Sequence, residues 1–101
     1  MKTDYELMRR AFRSLELLPE PIAFDIIGKL DVLTHFPEMG SPLGSRFPRL
    51  KGYREVLYKR YIRIIYEFDP HDNMIYVVAI QDCRQKLPLP RALKRDLPLD
   101  E

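Results

Sequence analysis

The sequence holds one cysteine, Cys83, and only two histidines, His35 and His71, far apart along the chain. An internal disulfide is thereby excluded, no Cys/His zinc pattern can be written, and neither a structural metal nor a cofactor is expected. Long apolar runs are missing too. None approaches the roughly 18–20 residues of a membrane span. The opening residues, Met1-Lys2-Thr3-Asp4-Tyr5-Glu6, turn charged before a signal-peptide core could start. These absences predict no membrane association and a cytoplasmic address. Repeats and low-complexity tracts are also lacking, which excludes solenoids and arrays.

What is present suits one folded unit. The chain has 101 residues and a mass of 12.1 kDa, the size of a single domain. Its 46% hydrophobic and 32% charged residues supply one core and a well solvated surface. The net charge of +2 conceals an asymmetry. Residues 46–63 carry Arg46, Arg49, Lys51, Arg54, Lys59, Arg60 and Arg63 against the lone acid Glu55. Concentrated positive charge attracts polyanions by counterion release, so nucleic acid or an acidic protein is the first partner class to consider. An ordinary solvated basic face is the plain alternative.

Apolar periodicity predicts a helix over 21–36, with Pro21 in its first turn and Ile22, Ile26, Leu30 and Leu33 on one stripe. Pro37 and Gly40 end it. Met8, Ala11, Phe12, Leu15 and Leu18 predict a shorter helix over about 9–17, and Pro19-Glu20-Pro21 makes the pair a hairpin. Thr3, Tyr5 and Leu7 alternate with charged residues and read as a short strand or as an extension of that helix. Residues 38–52 hold three of the four glycines and read as a loop. Aromatic and β-branched residues then predict strands at 53–58, 61–68 and 74–80, the last two separated by Asp69-Pro70-His71-Asp72-Asn73. The expected fold is α+β, a two-helix hairpin on a small antiparallel sheet in the order β-α-α-β-β-β. Residues 1–87 form the domain and 88–101 a proline-rich tail with at most one or two helical turns around Arg91 to Asp96.

Pairing the first two strands of the meander around Lys59-Arg60 sets Tyr58 opposite Tyr61, Val56 opposite Arg63 and Arg54 opposite Ile65. These six would share the open face. Tyr53, Glu55, Leu57, Ile62, Ile64, Tyr66 and Phe68 would then lie under the helices. Arginines between tyrosines suit phosphates and stacked bases, as RNA-binding sheets require, and are also ordinary occupants of a half-exposed face.

Four stretches together resemble the RelE/ParE family of type II toxin–antitoxin toxins over roughly residues 2–87. They are Arg9-Arg10-Ala11-Phe12-Arg13-Ser14-Leu15-Glu16-Leu17-Leu18-Pro19, Leu50-Lys51-Gly52-Tyr53-Arg54, Tyr61-Ile62-Arg63-Ile64-Ile65-Tyr66 and Val77-Val78-Ala79-Ile80-Gln81-Asp82-Cys83-Arg84. The resemblance implies a toxin of plasmid-stabilisation type with a cognate antitoxin as partner. Its RelE-like branch implies cleavage of messenger RNA on the ribosome, and this is the activity expected here. Its ParE-like branch implies inhibition of DNA gyrase, and a member that keeps only antitoxin binding is a third possibility. For cleavage, the resemblance places Arg54, Arg63 and Arg84 at the catalytic basic positions; Lys51, Tyr58, Lys59, Arg60 and Tyr61 are the expected RNA contacts. Gln81 stands where many relatives have histidine, Val56 occupies a second basic position, and no tyrosine follows Tyr76.

Attack by a 2′-hydroxyl needs a proton acceptor, a proton donor and cations around the phosphorane. Arginine supplies the last but is a poor base, so the proton transfers would fall to Tyr58, Tyr61, His71, a ribosomal group or the RNA itself. His71 reads as a solvated turn residue, His35 as a partner for a helix C-terminus, and Cys83 as an ordinary thiol.

Overall fold

The computed structural model of the chain describes residues 3–96. Helix α1 spans Arg9–Glu16 and α2 spans Glu20–His35, each within a residue of its predicted bounds. Pro21 sits in the first turn of α2, where a missing N–H is no loss, Glu20 complements the N-terminal end of the dipole, and His35 lies in the last turn as expected. Pro37 prevents the helix from continuing.

Five strands make one sheet: β1 (Asp4–Leu7), β2 (Ser41–Pro42), β3 (Tyr53–Tyr58), β4 (Ile62–Asp69) and β5 (Met74–Asp82). Their spatial order is β1-β5-β4-β3-β2. The predicted antiparallel meander is β3-β4-β5. The first residues form a strand rather than a helix extension, and β1 runs parallel to β5. Residues 38–52, expected as loop throughout, contribute β2 along β3 and two single-turn 3₁₀ helices, Leu43–Ser45 and Pro48–Leu50. The two-helix hairpin on a small sheet is present, and its sheet is mixed because β1 reaches β5 without a hairpin to dictate its sense.

The sheet buries both faces. Ala11, Leu15, Ile26, Leu30 and Leu33 of the helices pack on Tyr58, Ile62, Ile64, Tyr66, Ile75, Val77 and Ile80. The opposite face packs Ile65, Val78 and Ala79 against Met8, Leu43, Leu50 and Leu93. Leu93 follows a single 3₁₀ turn, Pro90–Ala92, so residues 87–96 lie against the sheet. Arg95 fastens them there, 4.1 Å over the Tyr76 ring and 2.9 Å from Glu67. The predicted tail beyond 96 lies outside the described residues. Among those described, no helix is long and apolar enough to cross a membrane.

The register of β3 differs from the expected one. Tyr58 pairs with Ile62, Leu57 with Arg63, Glu55 with Ile65 and Arg54 with Tyr66. The connection therefore contains Lys59, Arg60 and Tyr61, one residue more than a two-residue turn, with Lys59 and Arg60 at φ of 48° and 66°. A slip of one residue turns every side chain of a strand to the other face. Ile62, Ile64 and Tyr66 of β4 lie under the helices as predicted, whereas in β3 Arg54, Val56 and Tyr58 join them, and Tyr53, Glu55 and Leu57 point away. A bulge at Ile65/Tyr66 then lets Val78 and Ala79 of β5 both enter the second core.

Candidate functional site

The corrected register separates the predicted arginines. Arg54 is on the helix side, where its guanidinium donates to the carbonyls of Glu38 and Gly40 at 3.1 and 2.8 Å. Tyr66 works beside it: its hydroxyl donates to the Pro37 carbonyl at 2.8 Å and accepts from the Gly40 N–H at 3.0 Å. Gly40 must be glycine here, since a Cβ would stand 2.6 Å from the Tyr66 oxygen and 2.9 Å from the Glu55 carbonyl. Arg54 thus clasps the segment leaving α2.

Arg63 faces the other way, in register with Gln81 and Leu57. Its Nε lies 2.8 Å from Glu55 Oε1, in charge contact but off the line of a good hydrogen bond. Arg46 takes Glu55 Oε2. The Glu55 side chain is only 9% exposed, so a nearly buried carboxylate is held between two guanidiniums. Gln81 donates to the Lys86 carbonyl at 3.0 Å and steers the chain out of β5, while its Oε1 is buried with no hydrogen-bond partner. Cys83 lies close enough to feel both charges. Burial pushes its thiol up, Arg63 pulls it down, and Glu55 and Asp82 push it up again, the balance of an unreactive thiol.

Arg84 is 91% exposed and lies back on Asp82, donating to both carboxylate oxygens at 3.0 and 2.9 Å. The guanidinium, then the Arg84 backbone N–H, draw the Asp82 carboxyl down to about 2. Of the expected RNA contacts, Lys51 precedes β3 while Lys59, Arg60 and Tyr61 follow it, so the strand's length separates them. Tyr58 and Tyr61 do meet edge to face at 5.8 Å, but Tyr58 is 7% exposed and points under the helices. His71 is an exposed turn residue whose N–H bonds Asp69, as expected.

The Tyr58 hydroxyl donates to Asp25 of α2 at 2.6 Å. That bond, with burial and the carboxylate's charge, pushes the phenol up to about 12, far from a group that exchanges protons at neutral pH. A folded value above the unfolded one near 10 means that this group's stabilisation is intact below pH 10 and is lost as pH rises toward 12. Asp25→Asn should bring the phenol back toward 10. The difference between wild-type and variant tyrosinate absorbance titrations measures this, and superimposed curves would contradict the assignment.

Sequence reasoning missed two features. The Arg46–Glu55–Arg63 chain was hidden because Glu55 was placed on the wrong face. A second basic group was hidden because its members are remote in sequence: Arg9, Arg10 and Arg13 on α1 gather with Arg91 and Lys94.

A two-helix hairpin on one face of this strand order is the fold of RelE-type toxins. It matches the toxin–antitoxin complex RelBE of Mycobacterium tuberculosis at a TM-score of 0.72 and 19% identity, covering 81% of this chain and 99% of that one. It matches a free-state mutant of Escherichia coli toxin RelE at 0.68 and 14% identity, over 83% and 86%. The intact E. coli RelBE complex gives 0.66 and 12%, over 82% and 99%. No curated protein matches the chain by sequence. The family model described as ParE toxin of type II toxin-antitoxin system, parDE, matches residues 5–87. The chain belongs to that family and is a type II toxin.

Proposed function

We propose that this toxin stops growth by binding, as an inhibitor of DNA gyrase in the ParE manner, and that it does not cut messenger RNA. The observation that carries the reading is the dispersal of the three arginines. Arg54 is on one sheet face beside Glu38, Arg63 on the other against Glu55, and Arg84 on Asp82. Stabilising a phosphorane needs convergent cations whose contacts strengthen as charge develops, and proton carriers tuned near the working pH. Three dispersed arginines, each already engaged by an acid, and a phenol at about 12 favour a surface that binds over a centre that cleaves. The match to a ParE family model points the same way.

The cognate antitoxin would cover α2. Phe24, Val32 and Phe36 stand 76%, 48% and 62% exposed at spacings of eight and four residues, on one side of the helix, an apolar stripe suited to an amphipathic segment laid along it. Cleavage on the ribosome is the second reading, favoured by exposed Lys59, Arg60 and Tyr61 at the β3–β4 turn.

Induction of the chain in a bacterial host should relax plasmid DNA and block supercoiling by purified gyrase, with no new transcript 5′ ends. Co-expression of the neighbouring antitoxin gene should relieve the arrest. New transcript ends with supercoiling unaffected would transfer the assignment to messenger cleavage.

A further inference from the structure

The cations at the start of α1 are not explained by the helix they sit on. Its first turn has no acidic residue and carries Arg9 and Arg10, the wrong sign for the positive end of a helix dipole. Arg13 follows on the same side of the helix. Opposite them, the segment after Pro90–Ala92 is drawn in by a backbone hydrogen bond from Arg9 N–H to the Asp96 carbonyl, 2.6 Å long. This closure brings Arg91 and Lys94 across from the α1 arginines, around a shallow cavity of about 680 Å³. Among the described residues Asp96 is the one acid lining it, and it lies 3.6 Å from Arg9.

Arg10, Arg13, Arg91 and Lys94 have no ion-pair partner among the described residues, in contrast to Arg46, Arg54, Arg63, Arg84 and Arg95. A fold that matches acids to its sheet arginines leaves these four facing one hollow. We propose that this cavity is a binding site for the phosphodiester backbone of nucleic acid, built jointly by α1 and the C-terminal segment. Guanidiniums fork onto phosphate oxygens in pairs, and four uncompensated cations around one trough release counterions when a phosphate chain enters. Among the described residues no aromatic ring and no side-chain amide lines the cavity, so it reads charge and spacing and not base identity. An acidic protein segment fits less well. Among the described residues Leu17 and Ala92 are the only apolar side chains lining it, too little surface to offset the ordering of a peptide. The site is independent of which cellular machine the toxin stops.

The test is fluorescence anisotropy of the purified full-length chain with a labelled mixed-sequence DNA duplex of about 20 base pairs, an RNA hairpin and a glutamate-rich peptide, from 50 to 200 mM salt. Each phosphate contact on duplex DNA gives a slope of about −0.9 in log K against log salt, roughly a 3-fold loss of affinity over that range. The variant Arg10→Gln/Arg13→Gln/Arg91→Gln should lose close to three such units while keeping its circular dichroism and melting temperature. The control Lys29→Gln/Arg49→Gln/Lys86→Gln carries the same charge change outside the cavity and should keep the wild-type slope. Binding of duplex or hairpin with this pattern supports the site and tells DNA from RNA. Equal losses in both variants mean attraction by net charge alone and overturn it. So does binding of the peptide but neither nucleic acid through the same arginines, which would make the surface a protein-docking one.

Discussion

Ile64→Ala should destabilise the protein by roughly 2–5 kcal/mol, while Leu57→Ala should change stability by less than about 1 kcal/mol. Ile64 is fully buried, in register between Val56 and Ile80, with α2 above it. Shortening it leaves a cavity that packed neighbours close only in part. In a domain of this size each kcal/mol moves the melting temperature by about 4–8 °C, so thermal denaturation should show a fall near 10 °C or more for Ile64→Ala. Leu57 is 41% exposed on the other face. The pair therefore also tests the register. Equal, large losses would mean that both strands turn these residues toward the helices, as a two-residue turn would require.

That register is where the sequence stops being legible. The helices were readable because Pro21 and Pro37 bracket a strong 3.6-residue pattern, and β4 because Ile62, Ile64 and Tyr66 alternate. β3 was not. Its residues Tyr53-Arg54-Glu55-Val56-Leu57-Tyr58 offer an apolar or aromatic side chain to each face, so the pattern accepts either pairing. The deciding feature is the turn, where Lys59 and Arg60 adopt positive φ without the Asn or Gly that normally signals it. The expected grouping of Arg54, Tyr58 and Arg63 on one face followed from ignoring that residue of slip. Arg63 and Tyr58 were placed on one face, and Glu55, the acid that holds Arg63, was placed beneath the helices. The α1 cluster was half visible, as Arg9, Arg10 and Arg13 at helical spacing. Its other half depends on residues 87–96 folding back across the sheet, and no local pattern near Pro88 and Pro90 announces that.

The second large effect is expected at Glu55. Removing this carboxylate strands Arg63, 18% exposed, with no other acid bonded to it among the described residues. Losing one member of a buried pair costs about 3–5 kcal/mol, and the residual exposure of Arg63 puts Glu55→Ala near the lower end, about 3 kcal/mol. Arg46, 59% exposed, can turn to water and adds little. Replacing both members by apolar residues of similar size, Glu55→Leu with Arg63→Met, removes the stranded charge as well as the attraction, so it should recover most of the loss. Urea denaturation of the two single variants and the double variant measures the coupling directly. The double variant also isolates chemistry from architecture, because it is expected to fold and has no cation at position 63. Undiminished growth arrest by that variant is the result expected if Arg63 serves the sheet, whereas arrest lost from a protein of near wild-type stability would return Arg63 to the mechanism.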